Sequence, residues 1–348
     1  MNILKAVLVP RSSSRYFWPD SCYTHFRELK LLVMLNRGNG KLYFNMIPLI
    51  VLLGLLSTGQ ALYRISATIN GEIYNTPGGE VGELTPADWG LPYEDVSFKT
   101  NEDLTIKGWF VNNKETKRAI ILAPGRGTNR WDILENAPVR YLYDHGFEIL
   151  LFDPRSTGKS EGDMYGFGYF ESQDIVNAAR YLKREKGVNE VGVWGGSAGA
   201  SAAIIAALES NEIEAVVADS PYANLRMVAS SYRDLENDAL LQAFFPFYMG
   251  VARFTLNFNL YAKTDLLNRV ENLDTPLFLI HGLEDRALKP ENSQLLYENA
   301  GGAKRIWLAE GAWHVGTHEV YPDKYQRNVT NFFDNYLDGG DEDENSSR

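Results

Sequence analysis

A serine stands in the middle of a glycine-rich turn pattern, Gly195-Gly196-Ser197-Ala198-Gly199. An apolar run precedes this G-x-S-x-G pattern and an alanine-rich stretch follows it, which predicts a strand, a sharp turn and a helix. Such a turn lifts the serine hydroxyl to a helix N-terminus, where the helix dipole and the N–H of Ala198 can stabilise an oxyanion. The pattern therefore predicts acyl-transfer chemistry at Ser197, and a tight turn with a capping serine is the structural alternative.

Two of the five histidines, His314 and His318, follow the last apolar run of the chain. A serine hydroxyl needs a base at neutral pH, and an imidazole, with an unperturbed pKa of about 6.5, is suited to accept its proton. Either histidine could be that base. Their spacing would also permit a metal site on a helix, but no H-E-x-x-H motif surrounds them, so we expect no metal.

The 348-residue chain has the composition of a globular protein, with 45% hydrophobic and 23% charged residues. Its length suggests one large domain or two small ones. The formal net charge of -11 disfavours non-specific binding to nucleic acid phosphates. Cys22 is the only cysteine, so the chain cannot form an internal disulfide, a C-x-x-C redox pair or a thiolate metal site.

Short apolar runs alternate with helical patterns between about residues 91 and 337. The predicted strands are 93–99, 104–111, 119–123, 148–152, 190–194, 215–218, 277–280 and 305–308. The predicted helices are 130–143, 172–186, 198–209, 291–299 and 324–337. This alternation is typical of a mainly parallel sheet that helices cover on both faces. Ser197, Asp285 and His314 each follow a predicted strand, at the edge of the sheet where such proteins bind ligands.

Residues 222–268 interrupt this alternation and are rich in aromatic side chains. They include Tyr232, Phe244, Phe245, Phe247, Tyr248, Phe254, Phe258 and Tyr261. A segment of this size is too long for a simple crossover, so we expect a helical cap over the site. Core helices that pack on the sheet would explain the aromatics equally well.

The N-terminal part differs in composition from the rest. Residues 1–41 contain seven basic and two acidic residues, and residues 42–63 contain no charge. The uncharged stretch is about the ~20 residues that a membrane helix needs, and its apolar centre also fits a cleavable signal segment. Lysine and arginine are retained on the cytoplasmic side, so we expect a membrane anchor with the rest of the chain exported. Secretion after cleavage and a buried helix are the alternatives.

Two further stretches flank the predicted catalytic domain, residues 91–337. Residues 64–90 contain several turn formers and are interpreted as a linker and entry segment. Residues 338–348 form an acidic tail, which we expect to be disordered.

Several motifs together resemble the α/β-hydrolase superfamily, especially its esterase and serine-aminopeptidase-like members, some of which are membrane-anchored. Residues 91–96 and 108–110 are similar to the family's opening strands, and residues 152–160, FDPRSTGKS, are similar to its D-x-R-x-x-G-x-S loop. The serine, acid and histidine follow in the family's chain order. The resemblance implies the α/β-hydrolase fold, a mainly parallel sheet flanked by helices with a helical cap insertion.

The same resemblance implies the acid of the site. Residues 281–285, HGLED, match the family's H-G-x-x-D motif, which assigns the acid to Asp285. Asp219, which also ends a predicted strand, and Glu284 are the competing acids. His314 lies in the family's histidine loop and is the implied base, whereas His281 is interpreted as a structural residue of its turn.

The resemblance also implies a second oxyanion donor in residues 122–127, LAPGRG. Pro124-Gly125 stands where the family usually has His-Gly, but the donor is a backbone N–H, which Arg126 supplies. The bracing histidine side chain is lost at this position. Arg126 and Arg130 could brace the loop instead or bind an acidic substrate group, and solvated arginines are the alternative.

The function implied is a serine hydrolase that cleaves an ester, amide or thioester through an acyl-enzyme, with a carboxylesterase as the first choice. A serine peptidase on the same fold is the second choice, and a non-catalytic binding protein on a hydrolase scaffold is the third. The expected partner is a small-molecule or lipid-like acyl substrate, with the membrane as a further partner through the N-terminal segment. No cofactor and no nucleic acid partner are expected.

Overall fold

The computed structural model describes residues 36–38, 41–43, 71, 79, 81–113, 116–136, 138–231, 247, 249–250, 253 and 258–337. The chain divides into two units, residues 1–61 and 62–348. In the first unit, two strands, Asn36–Gly38 and Lys41–Tyr43, pair antiparallel. This hairpin is not among the predicted strands, and it includes the first two residues of the stretch interpreted as an anchor.

The other residues of the predicted anchor, 44–63, lie outside the described part of the chain, as does the predicted tail, 338–348. Most of the predicted basic segment, residues 1–41, and much of the predicted linker also lie outside it. Within the residues that the structure describes, no helix has the length and apolar character to span a membrane.

The second unit is built on one eight-stranded sheet. Its strands are β1 (Tyr93–Lys99), β2 (Thr105–Val111), β3 (Arg118–Ala123), β4 (Glu148–Phe152), β5 (Glu190–Gly196), β6 (Ala215–Asp219), β7 (Leu277–Gly282) and β8 (Lys304–Ala309). Their order is β8-β7-β6-β5-β3-β4-β2-β1. Only β2 runs antiparallel to its neighbours, β1 and β4, so the predicted mainly parallel sheet is confirmed.

Helices cover both faces of the sheet. They are α1 (Arg130–Asn136), α2 (Val139–Asp144), α3 (Tyr169–Tyr181), α4 (Ala198–Glu209), α5 (Leu225–Ser231), α6 (Leu260–Thr264), α7 (Glu291–Asn299), α8 (Thr317–Val320) and α9 (Pro322–Leu337). Successive side chains of a strand point to opposite faces. On β3, Ile121 therefore packs in the cluster with α3, α4 and α7, and Ile120 packs in the cluster with α1, α2 and α9.

Two predicted helices differ from the structure. The predicted helix 130–143 is two helices, because Pro138, the N-cap of α2, lacks an N–H and disfavours helical geometry in the residue before it. The predicted helix 172–186 begins earlier, at Tyr169, and ends at Tyr181, where a π-helical turn of Leu182–Lys186 continues it. Its early start follows from Glu171, whose carboxylate accepts hydrogen bonds from the N–H groups of Gly166 and Gly168 at 2.9 and 2.7 Å.

The ends of the predicted cap, residues 222–231 and 258–268, are described, and they contain α5, α6 and a 3₁₀ turn, Leu266–Asn268. Phe258 packs against the rings of Tyr169 and Phe170, with centroid distances of 5.9 and 5.4 Å. Most of the segment between these ends, including Phe244, lies outside the described residues. The cap therefore stays a prediction.

Candidate active site

Ser197 occupies the sharp turn between β5 and α4. Its backbone has φ 55° and ψ -122°, a conformation that non-glycine residues rarely adopt and that costs about 1–3 kcal/mol. A Cβ at Gly195 would overlap the carbonyl of Gly199, and a Cβ at Gly199 would overlap the carbonyl of Ala123, so both positions of the motif require glycine. The Ser197 N–H donates to the Asp219 carbonyl at 2.8 Å, which ties the turn to the end of β6.

The structure brings the three predicted catalytic side chains into one hydrogen-bonded chain. Ser197 Oγ lies 2.9 Å from His314 Nε2, and His314 Nδ1 lies 2.6 Å from Asp285 Oδ2. Since the carboxylate only accepts, the His314 proton is on Nδ1, and Nε2 is left to accept the serine proton. His314 keeps 28% of its side chain exposed, whereas the Asp285 side chain is fully buried. This geometry suits proton transfer from the serine to the imidazole.

Asp285 is held in place by more than His314. Its Oδ1 accepts hydrogen bonds from the N–H groups of Ala287 and Leu288 at 2.8 and 2.9 Å. His281 Nε2 lies 3.2 Å from Oδ2, the oxygen that His314 also uses. Burial raises the pKa of Asp285, but the hydrogen bonds from His281 and His314 outweigh it and hold that pKa well below its usual range. The carboxylate is therefore ionised when an imidazolium forms beside it.

The competing candidates are placed elsewhere. The carboxylate of Asp219 is fully buried and bonded to the hydroxyls of Ser220 and Tyr325, not to a histidine ring. Glu284 is exposed. His318 lies in α8 and donates from Nδ1 to the carbonyl of Val315, just before that helix, at 2.9 Å. Asp219, Glu284 and His318 therefore take no part in the hydrogen bonds that join Ser197 to His314 and His314 to Asp285.

The loop that contains Arg126 lies against the nucleophile. A Cβ placed on Gly125 would be 3.5 Å from Ser197 Cβ, so this part of the loop is adjacent to the serine. Thr128 stabilises the turn, because its N–H and hydroxyl both donate to the Gly125 carbonyl at 3.4 and 3.0 Å. Ala198 begins α4, and the first N–H groups of a helix have no partner within it. Ala198 therefore follows Ser197 at the start of α4 and the Gly125 turn lies against the serine, while Ala198 and Arg126 as oxyanion donors stay a prediction.

An apolar cluster adjoins the same turn. Ala198 packs with the buried side chains of Tyr165, Tyr222 and Leu288, and Phe167 and Val228 pack against them. The Arg126 guanidinium lies over the rings of Tyr165 and Phe167, at 5.6 and 5.9 Å from their centroids. Apolar side chains therefore line one side of the turn, and the Arg126 guanidinium lies beside them.

One supporting residue was interpreted from the sequence only as part of a turn. His281 accepts a hydrogen bond from Ser293 at Nδ1 and directs Nε2 to both the Leu288 carbonyl and Asp285, at 3.0 and 3.2 Å. It therefore donates to the acid itself. The signal for this contact was its position four residues before Asp285 in the H-G-x-x-D motif.

Comparison with known proteins agrees with this architecture. The esterase Pf2001 of Pyrococcus furiosus has a similar structure, 28% identical in sequence, with a TM-score of 0.61 over 75% of this chain and 99% of the esterase. The uncharacterized protein YqkD of Bacillus subtilis is 26% identical over 246 residues, which cover 67% of this chain and 76% of YqkD. The polyketide transferase grgF of a Penicillium species is 29% identical over 135 residues, but the match spans only 46% of its length.

A protein-family model also matches more than half of the chain. The model of the prolyl oligopeptidase family matches residues 138–340, a range that contains Ser197, Asp285 and His314. The strand order and the flanking helices are those of an α/β hydrolase, as predicted from the sequence motifs. The chain therefore belongs to the prolyl oligopeptidase family and is a serine hydrolase of the α/β-hydrolase fold.

Proposed function

We propose that this protein is a carboxylesterase that works through a Ser197–His314–Asp285 triad. The observation on which the proposal rests is the unbroken chain of hydrogen bonds from Ser197 Oγ through both nitrogens of His314 to Asp285, at 2.9 and 2.6 Å. Neither Asp219 nor His318 takes part in that chain. The similarity to an esterase over nearly that enzyme's whole length supports the ester as the substrate.

The proposed reaction has two acyl-transfer steps. Ser197 Oγ attacks the carbonyl carbon of the ester while His314 Nε2 accepts the serine proton. The carbonyl oxygen becomes an oxyanion, which the N–H groups of Ala198 and Arg126 stabilise. The tetrahedral intermediate then expels the alcohol, which takes the proton from His314, and the acyl group stays on Ser197. Water repeats the sequence, with His314 as base, and releases the acid.

Asp285 acts on His314 in both steps. Its Oδ2 accepts the Nδ1 proton, so the ring presents the lone pair of Nε2 to the nucleophile. Its low pKa keeps it ionised at neutral pH, and the negative charge stabilises the imidazolium that forms in each step.

The apolar cluster around Ala198 supports an apolar acyl or alcohol group in the substrate. A series of p-nitrophenyl esters of increasing acyl length should therefore show a clear optimum. Val228→Ala should move that optimum to longer chains, because it removes volume beside the cluster. Leu337→Ala, in a fully buried position at the far end of α9, should leave the optimum unchanged and is the control. An optimum that is the same in Val228→Ala would contradict an apolar acyl site here.

The decisive test of the proposal uses Ser197→Ala. We expect kcat on a short p-nitrophenyl ester to fall by about 10³-fold or more, as for the loss of a triad nucleophile. A fluorophosphonate should label the wild-type protein at Ser197 and leave the variant unlabelled, with mass spectrometry locating the adduct. A variant with near wild-type turnover, or an adduct on another residue, would refute the assignment.

A peptidase is the second candidate, because the family model that matches the chain is that of the prolyl oligopeptidases. The same triad would cleave an amide if the site bound the peptide on both sides of the bond. Aminoacyl p-nitroanilides distinguish the two functions. A kcat/KM that is higher on anilides than on the matched esters would favour the peptidase and contradict the esterase.

We also propose, from the sequence alone, that residues 42–63 anchor the protein with the catalytic domain outside the cytoplasm. The support is the excess of lysine and arginine in residues 1–41. After carbonate washing the protein should remain in the membrane pellet, and protease added to spheroplasts should degrade the catalytic domain. Recovery of the full-length protein in the cytosolic fraction would contradict both parts of this proposal.

A further inference from the structure

Three non-glycine residues with positive φ lie around the triad. They are Ser197, Ser220 and Val315, with φ values of 55°, 54° and 54°. Val315 directly follows His314, and a β-branched residue is especially unfavourable in this conformation because its side chain crowds the backbone. Such a conformation persists only where the surroundings enforce it. Contacts to Val315 therefore help to set the position of His314.

A buried chain of side-chain hydrogen bonds ends on the Val315 backbone. The Val315 N–H donates to Ser220 Oγ at 3.1 Å, and the Ser220 hydroxyl donates to Asp219 Oδ1 at 3.0 Å. The Tyr325 hydroxyl donates to Asp219 Oδ2 at 2.8 Å, and the Trp194 indole N–H donates to Tyr325 at 2.9 Å. We call Trp194, Tyr325, Asp219 and Ser220 the Asp219 relay. All four are at most 2% exposed, so water does not compete for these bonds.

The other polar group of the Val315 backbone is also bound by a side chain. His318 Nδ1 donates to the Val315 carbonyl at 2.9 Å, and the His318 ring packs on Tyr325 with a centroid distance of 5.9 Å. The strained residue is therefore held from both sides, by the relay at its N–H and by His318 at its carbonyl.

Asp219 also contacts the nucleophile. Its backbone carbonyl accepts the Ser197 N–H at 2.8 Å, while its carboxylate reaches the histidine loop through Ser220. The next residue, Ser220, donates its N–H to the Ile280 carbonyl on β7, five residues before Asp285. One residue pair at the end of β6 thus connects the three elements on which Ser197, Asp285 and His314 stand.

We propose that Asp219 and Ser220, supported by Tyr325, are positioning residues that hold Val315 in its left-handed conformation and thereby direct His314 Nε2 at Ser197. The proposal rests on the triad function proposed above. It gives Asp219, the competing acid of the sequence, a role other than proton transfer or charge stabilisation. A displacement of a catalytic group by about 1 Å can lower a rate by roughly 10²-fold, so a small shift of Val315 is enough to matter.

The test compares Ser220→Ala with a rescue variant. Ser220→Ala removes the bond to the Val315 N–H, and we expect kcat on a p-nitrophenyl ester and the rate of fluorophosphonate labelling each to fall by about 10- to 100-fold, with little change in KM. Glycine adopts positive φ without strain. The double variant Ser220→Ala/Val315→Gly should therefore recover a large part of the lost rate, which a merely structural role of Ser220 would not produce.

Thr330→Val is the matched control, because Thr330 is a buried residue on α9 whose hydroxyl, among the described residues, bonds only to the helix carbonyls of Gln326 and Arg327. It should keep the wild-type kcat. Wild-type rates in Ser220→Ala, or a double variant no faster than Ser220→Ala, would overturn the relay. A kcat loss in Thr330→Val as large as in Ser220→Ala would do the same.

Should Ser220→Ala fail to fold, Asp219→Asn with and without Val315→Gly makes the same comparison under the same criteria. The outcomes separate the two proposals. Wild-type protein that does not label at Ser197 would refute the triad function, whereas a labelled wild type and an equally fast Ser220→Ala would refute the relay alone.

Discussion

Two aspartates stand at the carboxyl ends of neighbouring strands, and their surroundings make them different groups. Asp219 is the last residue of β6, and Asp285 follows β7 by three residues. Both are buried, at 0% and 6% exposed. Asp285 accepts hydrogen bonds from two imidazoles and two backbone N–H groups, whereas the carboxylate of Asp219 is bonded to two hydroxyls. Only the first set contains imidazole donors.

The two pKa values move in opposite directions for this reason. Burial raises the pKa of Asp219, and the hydrogen bonds from Tyr325 and Ser220 only partly oppose it. At Asp285 burial acts in the same direction, but the bonds from His281 and His314 outweigh it, and the pKa falls. Burial alone therefore does not decide the ionisation of a carboxylate; the chemistry of its donors does. A carboxylate beside imidazoles can stabilise charge, and one beside hydroxyls can only fix geometry.

The strongest test of this contrast replaces each aspartate by asparagine. Asp285→Asn should lower kcat by about 10⁴-fold, because the amide no longer selects the tautomer of His314 or stabilises its charged form. Asp219→Asn should lower it by at most about 10²-fold, because it disturbs only the position of His314. Ester turnover of the two purified variants checks this, with circular dichroism to establish that both are folded. Equal losses, or the reverse order, would show that the contrast is wrong.

The sequence predicted the elements that depend on local patterns. Strand β4 and helix α4 have the predicted bounds, because an apolar run and an alanine-rich stretch reveal them directly. The break at Pro138 was not predicted, although the proline itself was a signal for it. The residues of the proposed triad follow from short motifs, and the structure places their side chains in contact.

The supports of the site could not be predicted in the same way. Nothing in the residue type of Val315 indicates a φ of 54°, which is imposed by Ser220, 95 positions away in the chain, and by His318. The Trp194–Tyr325 bond joins residues 131 positions apart. Contacts of this kind arise only from the packing of β5, β6 and α9 together. A single sequence has no periodic signal for them.

The next largest effect is expected at His281, the second imidazole on Asp285. Loss of a hydrogen bond to a charged group costs about 1.5–3 kcal/mol, and 1.4 kcal/mol corresponds to a factor of 10. Since part of that loss acts on Asp285, His281→Ala should lower kcat by about 10-fold. Ser293→Ala is the control, because Ser293 contacts the other nitrogen of His281, and it should have a smaller effect.

The stability of the protein at acid pH provides a second measurement of the role of His281. Asp285 has a lowered pKa in the folded protein, so the stability it contributes is present above its unfolded pKa of about 3.9 and is lost as the pH falls through the lower folded value. His281→Ala should raise the folded pKa of Asp285 toward its unfolded value, so the free energy of unfolding of the variant should fall less than that of wild type as the pH is lowered through this range. Superimposable acid-unfolding curves would show that His281 does not support Asp285.

Glu171 extends the comparison to a third buried carboxylate and should have the smallest effect on turnover. Its donors are the backbone N–H groups of Gly166 and Gly168, at 2.9 and 2.7 Å, with no imidazole. Burial, with a further contribution from the nearby Asp174, raises its pKa to about 7 against the opposing effect of these bonds. Two backbone donors are thus weaker than burial, whereas the two imidazoles at Asp285 are stronger.

The raised pKa of Glu171 makes the stability of the fold depend on pH, because the folded and unfolded chains bind its proton differently. Because the folded pKa lies above the unfolded value of about 4.3, folding favours the protonated form of Glu171. Its contribution to stability is complete below the unfolded pKa and is lost as the pH rises through about 7. Glu171→Gln cannot ionise, so between pH 5 and 8, values chosen to bracket the transition, its free energy of unfolding should rise relative to wild type by on the order of 2–3 kcal/mol. Urea unfolding of both proteins at the two pH values measures this difference.

The control is Glu161→Gln. Glu161 is solvent-exposed, and the hydrogen bonds from Thr105 lower its pKa, so it is ionised throughout that pH range in the folded and unfolded chain alike. Its variant should differ from wild type by the same amount at both pH values. A Glu171→Gln variant that behaves like Glu161→Gln would mean that the Gly166 and Gly168 N–H groups keep Glu171 ionised despite its burial. Backbone donors would then equal imidazoles in their effect on a buried carboxylate, and the contrast between Asp285 and Asp219 would need a cause other than the kind of donor.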